Sequence, residues 1–223
     1  MRGLSKYIGL ILILLLMFAH LLKAQEDNSN FDYQLFGVKA GWNMSSSSLQ
    51  PAISDMMSDY GYQAGLVYVF SNKKNVGIQL ELNYSSRRWI EYFTEYQANT
   101  ELQYIEIPLI TNINLGKARL KYLINLGTYF AVNVDKKQTT NLPQNTSNYE
   151  SFVNRNENGS DFGLIIGGGV RYFTKLGVFQ LDARYMYGYQ KLYNEEATGF
   201  QYSNMSTLSL GMIYMINLKK NAK

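Results

Sequence analysis

The feature that most constrains this chain is the rhythm of its connections. Eight stretches of period-two alternation follow one another, at 35–45, 60–71, 76–87, 102–115, 119–135, 161–173, 178–189 and 205–218. The segments between them run long, short, long, short, long, short, long: 46–59, 72–75, 88–101, 116–118, 136–160, 174–177 and 190–204. An even strand count, with tight turns at one end and long connections at the other, is the layout of an up-and-down barrel that crosses a membrane. The expected fold is all-β, an eight-stranded antiparallel transmembrane up-and-down β-barrel over 35–218.

The alternation has two distinct faces. In the third stretch Val76, Ile78, Leu80, Leu82 and Tyr84 alternate with Gly77, Gln79, Glu81, Asn83 and Ser85. In the seventh, Phe179, Leu181, Ala183, Tyr185 and Tyr187 alternate with Gln180, Asp182, Arg184, Met186 and Gly188. Side chains of a strand point to opposite sides in turn, so each stretch has one apolar and one mixed face. Pro108 removes a ladder donor from the fourth stretch and predicts an irregularity there. Aromatic residues gather toward strand ends, among them Tyr60, Tyr62, Trp89, Phe173, Tyr187 and Tyr189, as interfacial girdles do.

The N-terminus reads as an export signal. Arg2 and Lys6 precede an apolar run over 8–18, and Ala24 closes a cleavage segment. The run is short for a helical span and is broken by His20. The organisation is then a signal peptide over 1–24, a polar lead-in over 25–34, the barrel over 35–218 and a polar tail over 219–223. Both ends of an eight-stranded barrel lie on one side, and short turns mark that side as periplasmic. The expected location is the bacterial outer membrane.

Cleavage changes the charge argument. Arg2, Lys6 and Lys23 leave with the signal and no acid does, so 18 basic and 17 acidic residues remain, a formal +1. That is no footprint for nucleic acid, which needs a clustered basic surface. The chain has no Cys, and its only His, His20, lies in the signal. Thiolate chemistry, the commonest metal ligands and the commonest general base are therefore absent from the mature chain. No cofactor, metal or catalytic residue is expected. Glu195 and Glu196 read as loop charge, and Gly167–Gly169 sits in a strand with no helix after it, unlike a phosphate loop.

Several segments resemble a known family. Tyr104–Leu109 reads YIEIPL, Phe36–Asn43 reads FGVKAGWN, Asp161–Leu164 opens a glycine-rich strand, and Asp182–Tyr185 reads DARY. On these residues the chain resembles the PorT-like outer-membrane β-barrel proteins of Gram-negative bacteria, over nearly all of the mature length. The resemblance implies a small closed barrel. The family is named for a member tied to secretion across the outer membrane, a role the fold alone does not carry.

The mixed face carries Lys39, Glu81, Glu106, Arg119, Lys121, Arg171, Asp182 and Arg184. An eight-stranded barrel is just wide enough for its side chains to fill, and charges buried there must be paired. Lys39, Glu81, Glu106, Arg171, Asp182 and Arg184 are therefore expected to form a polar lumen network, centred on Glu81, Asp182 and Arg184. Trp89, Tyr92, Phe93 and Tyr96 fall in a long outer connection and are the candidate contact surface for a protein or glycan partner, with outer-membrane lipid around the wall; the alternative is that Trp89, Tyr92 and Phe93 continue the third and fourth strands above the membrane and pack against each other. Three functions follow. The first is a non-enzymatic membrane scaffold or surface interaction module with a plugged lumen. The second is a narrow channel or a subunit of a secretion apparatus. The third is a periplasmic lipocalin-like ligand-binding barrel, which requires the apolar face inside and the charged face outside.

Overall fold

The computed structural model describes residues 33–218, apart from 51–54, 72, 74, 93–96, 117–118, 142–158 and 193–201. The expected signal, most of the lead-in and the tail over 219–223 lie outside them. Eight antiparallel strands close into one ring: β1 Tyr33–Gln50, β2 Asp55–Ser71, β3 Val76–Tyr92, β4 Gln97–Leu115, β5 Leu120–Thr140, β6 Ser160–Phe173, β7 Val178–Gly188 and β8 Tyr202–Asn217. Each strand pairs with its sequence neighbours, and β1 closes on β8 from Leu35↔Asn217 to Gln50↔Tyr202.

The apolar face is outside. On β5 the outward residues Leu120, Tyr122, Ile124, Leu126, Phe130 and Val132 are all exposed. At about 3.3 Å per residue they cover about 40 Å of strand, or about 30 Å of membrane thickness at a tilt near 40°. Polar and charged residues fill the interior, where Gln79, Asn112, Asn125 and Arg171 are fully buried. This is the reverse of a water-soluble barrel and overturns the lipocalin-like reading. A hydrated exterior could not carry Val38, Leu66, Leu82, Ile166 and Met212 in the open.

The strands run further than alternation predicts. Residues 46–50, 55–59, 88–92, 97–101 and 136–140, expected as loop, belong to β1, β2, β3, β4 and β5. Arg88 on β3 pairs with Asp59 on β2 and with Glu101 on β4, and β4 continues to Ala98↔Thr140 on β5. The connections after β1 and β3 are thus short, and the length assigned to them is mostly strand.

Two register shifts adjust the faces. One lies on β2 between Asp59 and Gln63, opposite β3, and one lies where Gln103/Tyr104 of β4 meets β5. An extra residue on one strand turns every side chain beyond it to the other face. Pro108 has the expected effect in a mild form. Pairing of β3 with β4 stops at Leu80↔Leu109 and resumes at Asn83↔Glu106 in the same register.

Candidate functional site

All six residues expected in the lumen are buried: Lys39, Glu81, Glu106, Arg171, Asp182 and Arg184. The barrel divides them into separate groups. The middle group is a chain of four charges. Lys39 Nζ lies 3.1 Å from Glu81 Oε2, and Arg184 Nη2 lies 2.8 Å from both Glu81 Oε1 and Asp182 Oδ2. Gln79 and Asn83 flank Glu81 on β3 and donate amide hydrogens to its two oxygens, at 2.6 and 2.8 Å. Every oxygen of that carboxylate is engaged, the condition under which a buried charge is tolerated.

Glycines make room for this group. Gly167 stands opposite Arg184 and Gly169 opposite Asp182 across β6–β7, and Gly211 stands opposite Asp182 across β7–β8. A Cβ at Gly169 would fall 3.0 Å from the Asp182 Cβ, and one at Gly211 would fall 2.9 Å from Lys39 Cε. The long charged side chains occupy the volume that their neighbours leave.

Arg171 stands apart toward the short-turn end. Its Nε donates to Gln180 Oε1 at 2.8 Å, its Nη1 to the Tyr33 hydroxyl at 3.0 Å, and its Nη2 to Asn112 Oδ1 at 3.0 Å and Gln79 Oε1 at 3.3 Å. All four acceptors are neutral. Gln180 passes the contact on, donating to Asp182 Oδ2 at 3.1 Å.

Glu106 belongs to a third group, which the sequence reading missed. Its partner is Arg87, whose Nη2 and Nε donate to Glu106 Oε1 at 2.6 and 3.0 Å. Arg87 Nη1 also donates to Asp161 Oδ2 at 2.8 Å, and the Tyr129 hydroxyl donates to the same oxygen at 2.7 Å. The guanidinium lies 4.7 Å from the Tyr104 ring centroid and 5.3 Å from that of Tyr129. Alternation puts Arg87 on the same face as Glu81 and Ser85, and that is the signal the sequence offers for it.

Apolar side chains close both ends of this polar column. At the short-turn end Leu35, Val67, Val69, Val178, Ile213 and Met215 form one cluster, with Tyr33 and Phe173 packed against it. Toward the long connections Trp89, Leu102, Ile165, Met186, Leu192 and Met205 pack with Tyr104 and Tyr129. A space of only about 10 Å³ remains there, bordered by Tyr104, Asp161, Leu192 and Met205. That is at the lower limit for a single water. A shallow depression of about 450 Å³ lies on the lipid-facing wall beside Trp42, Leu181, Leu210 and Met212.

Three expectations change. Trp89, placed in the outer contact surface, is 1% exposed; it lies on β3, points into the mouth of the barrel and donates its indole N–H to Glu91 Oε1 at 3.1 Å. Arg119 is exposed in the β4–β5 turn instead of in the lumen. Lys121 reaches only the rim, where its Nζ donates to the Gly116 carbonyl at 3.2 Å. Tyr92 is exposed at the end of β3, while Phe93 and Tyr96 lie outside the described residues. Among the described residues no group of three His, Cys, Asp or Glu could hold a metal ion.

A family profile described as outer membrane protein beta-barrel domain matches residues 23–194. No curated protein matches the sequence. Among solved structures, the outer membrane protein OprG from Pseudomonas aeruginosa aligns with a TM-score of 0.50 at 14% identity, over 83% of this chain and 94% of that one. Neisserial surface protein A gives 0.44 at 16% identity, over 80% and 96%. The attachment invasion locus protein Ail of Yersinia pestis gives 0.42 at 14% identity, over 82% and 98%. At such identities the likeness to OprG speaks for the fold alone.

Proposed function

This chain belongs to the outer membrane protein β-barrel domain family, and from that premise we propose that it is a non-enzymatic barrel of the bacterial outer membrane whose lumen is plugged by its own side chains, serving as a membrane scaffold or surface interaction module. The observation that carries the proposal is the lumen itself. Among the described residues, three groups of buried, hydrogen-bonded charges lie between two apolar clusters, and the space beside the outer cluster is about 10 Å³. Moving an ion along such a column would require breaking pairs that cost several kcal/mol each to leave unmatched.

The finer assignments belong to the same proposal. The segment 1–24 is removed on export, a reading supported by Arg2 and Lys6 ahead of the apolar run over 8–18 and by Ala24 at its close. The termini and the short turns face the periplasm. The end opposite the short turns, with its extended strand ends and the connections after β5 and β7, faces outward and offers the surface for a protein or glycan partner, with Tyr92 on its rim. Tyr104 and Glu106, from the Tyr104–Leu109 segment that carries the PorT-like resemblance, lie in the Arg87 group.

Planar-bilayer recording of the refolded, heat-modifiable barrel tests the plug. The expected result is electrical silence. Reproducible single-channel steps would move the assignment to a narrow channel and make Glu81, Asp182 and Arg184 its lining.

A further inference from the structure

The two ends of the barrel differ in charge. The three short turns, 72–75, 116–119 and 174–177, hold Lys73, Lys74, Lys117, Arg119 and Lys175 and no Asp or Glu. Lys121, also at this rim, adds a sixth cation. At the other end acids and bases are mixed: Arg88 sits 3.5 Å from Asp59 and 3.9 Å from Glu101. Among the described residues every Asp and Glu lies in the middle or outer part of the barrel.

The cations are placed at the edge of the lipid-facing wall. Lys73, Arg119 and Lys175 are exposed. Directly next to them the wall shows Val76, Leu115 and Leu120, and Leu176, beside Lys175, is 82% exposed. A cation one to three residues past the last apolar side chain stands at the level of lipid phosphates. The turns recur every second strand, so the charges are spread around the circumference at intervals of about 10 Å or more. A ring of separated cations bordering an apolar wall matches an annulus of lipid headgroups. A docked acidic protein would call for cations concentrated on one side.

We propose that the short-turn rim is a binding ring for anionic phospholipid headgroups, recognised through phosphate by Lys73, Arg119 and Lys175. The inference rests on the membrane reading above and, for the leaflet involved, on the short turns being periplasmic. It gives the barrel a device that sets its depth and orientation: the apolar band fixes the thickness it spans, and the basic ring fixes which headgroups end it.

Spin-labelled phosphatidylglycerol and phosphatidylcholine, added to the intact barrel in phosphatidylcholine bilayers, report the relative association of each lipid with the wall. A surface cation contributes about 1 kcal/mol to an anionic headgroup, which is about fivefold, so averaged over the annulus the expected preference for phosphatidylglycerol is about twofold to fivefold at low salt. It should shrink in high salt and fall at least by half in the variant carrying Lys73→Gln, Arg119→Gln and Lys175→Gln, which keeps Lys74, Lys117 and Lys121. These side chains are exposed turn residues, so the variant should fold, and the heat-modifiable gel shift verifies it. Equal association of the two lipids with the unaltered barrel overturns the proposal. So does a preference undiminished in the triple variant, or one replaced by binding of a polyglutamate peptide. Sidedness is read separately. The chain has no Cys, so a membrane-impermeant maleimide on intact cells labels Lys73→Cys only if that rim faces outward, a result that would reverse the orientation without touching the lipid preference.

Discussion

Arg87→Met is the sharpest perturbation of the lumen. The substitution keeps much of the side chain's length and removes its charge. Arg87 is the only cation within salt-bridge distance of Glu106 and Asp161 among the described residues, at 2.6 and 2.8 Å. Both carboxylates are buried, so the variant leaves two anions without a counter-charge in a water-poor interior. Removing one member of a buried ion pair costs about 3–5 kcal/mol. Lost packing against the Tyr104 and Tyr129 rings would account for about 0.5–2 kcal/mol. Against a total stability of about 5–15 kcal/mol the larger figure is a severe loss. Urea unfolding of the refolded barrel, followed by tryptophan emission and by the heat-modifiable gel shift, measures it. The control adds Glu106→Gln and Asp161→Asn to Arg87→Met. If orphaned charge is the cause, this neutral triple variant recovers at least half of the loss. A single-variant cost below about 1 kcal/mol, or a triple variant as unstable as the single, would refute the reasoning and reassign Arg87 to packing.

Two further expectations follow from the same interior. Asp182→Leu should lower the melting temperature through a smaller loss, about 1.5–3 kcal/mol, because Arg184 keeps Glu81 as a partner at 2.8 Å; unchanged melting would count against a paired role for Asp182. The two tryptophans should report opposite sides of the wall, Trp42 being 60% exposed and Trp89 1%. In bilayers containing brominated lipid, the Trp89→Phe variant should lose its emission and the Trp42→Phe variant should keep it; equal quenching would contradict the assignment of faces.

The strands are legible where the membrane enforces a rule and vanish where it stops. On β5 the outward positions from Leu120 to Val132 must be apolar or aromatic, apart from Thr128, so the alternation is plain. Beyond the band the outward face meets water, and Arg88, Glu101 and Asp135 occupy it. Both faces of the strand are then polar, and sequence alternation carries no signal although the backbone ladder continues to Tyr92↔Gln97. The same reason explains the misplaced Trp89. A tryptophan in a polar stretch looks like an exposed loop aromatic until the ladder shows which face it takes. The register shifts on β2 and β5 have no such signature, because an extra residue in a polar segment changes the phase of a pattern that is already unreadable there.

Inside the lumen the sequence carries each residue's face but not its partner. Glu81, Asp182 and Arg184 lie mid-strand, and their grouping could be guessed because all three sit at a similar depth. Glu106 lies on β4, beside Asn83 of β3, and nothing in its sequence neighbourhood announces Arg87 on β3 or Asp161 on β6 as its companions. Those contacts cross a closed tube, and which strands face one another across it depends on strand tilt and stagger as well as on sequence order. The segments that carry the family resemblance, Tyr104–Leu109, Asp161–Leu164 and Asp182–Tyr185, nevertheless supply Tyr104, Glu106, Asp161, Asp182 and Arg184, most of what fills the two larger charged groups. Their outward residues, Ile105, Ile107, Phe162, Leu164 and Tyr185, satisfy lipid and could be exchanged among apolar types at little cost. The inward charges of the same segments, Glu106, Asp161, Asp182 and Arg184, have no such freedom, since each meets a particular opposite charge. What distinguishes this barrel from any other eight-stranded wall is therefore the set of inward partners, and variants there should be read as changes to the plug.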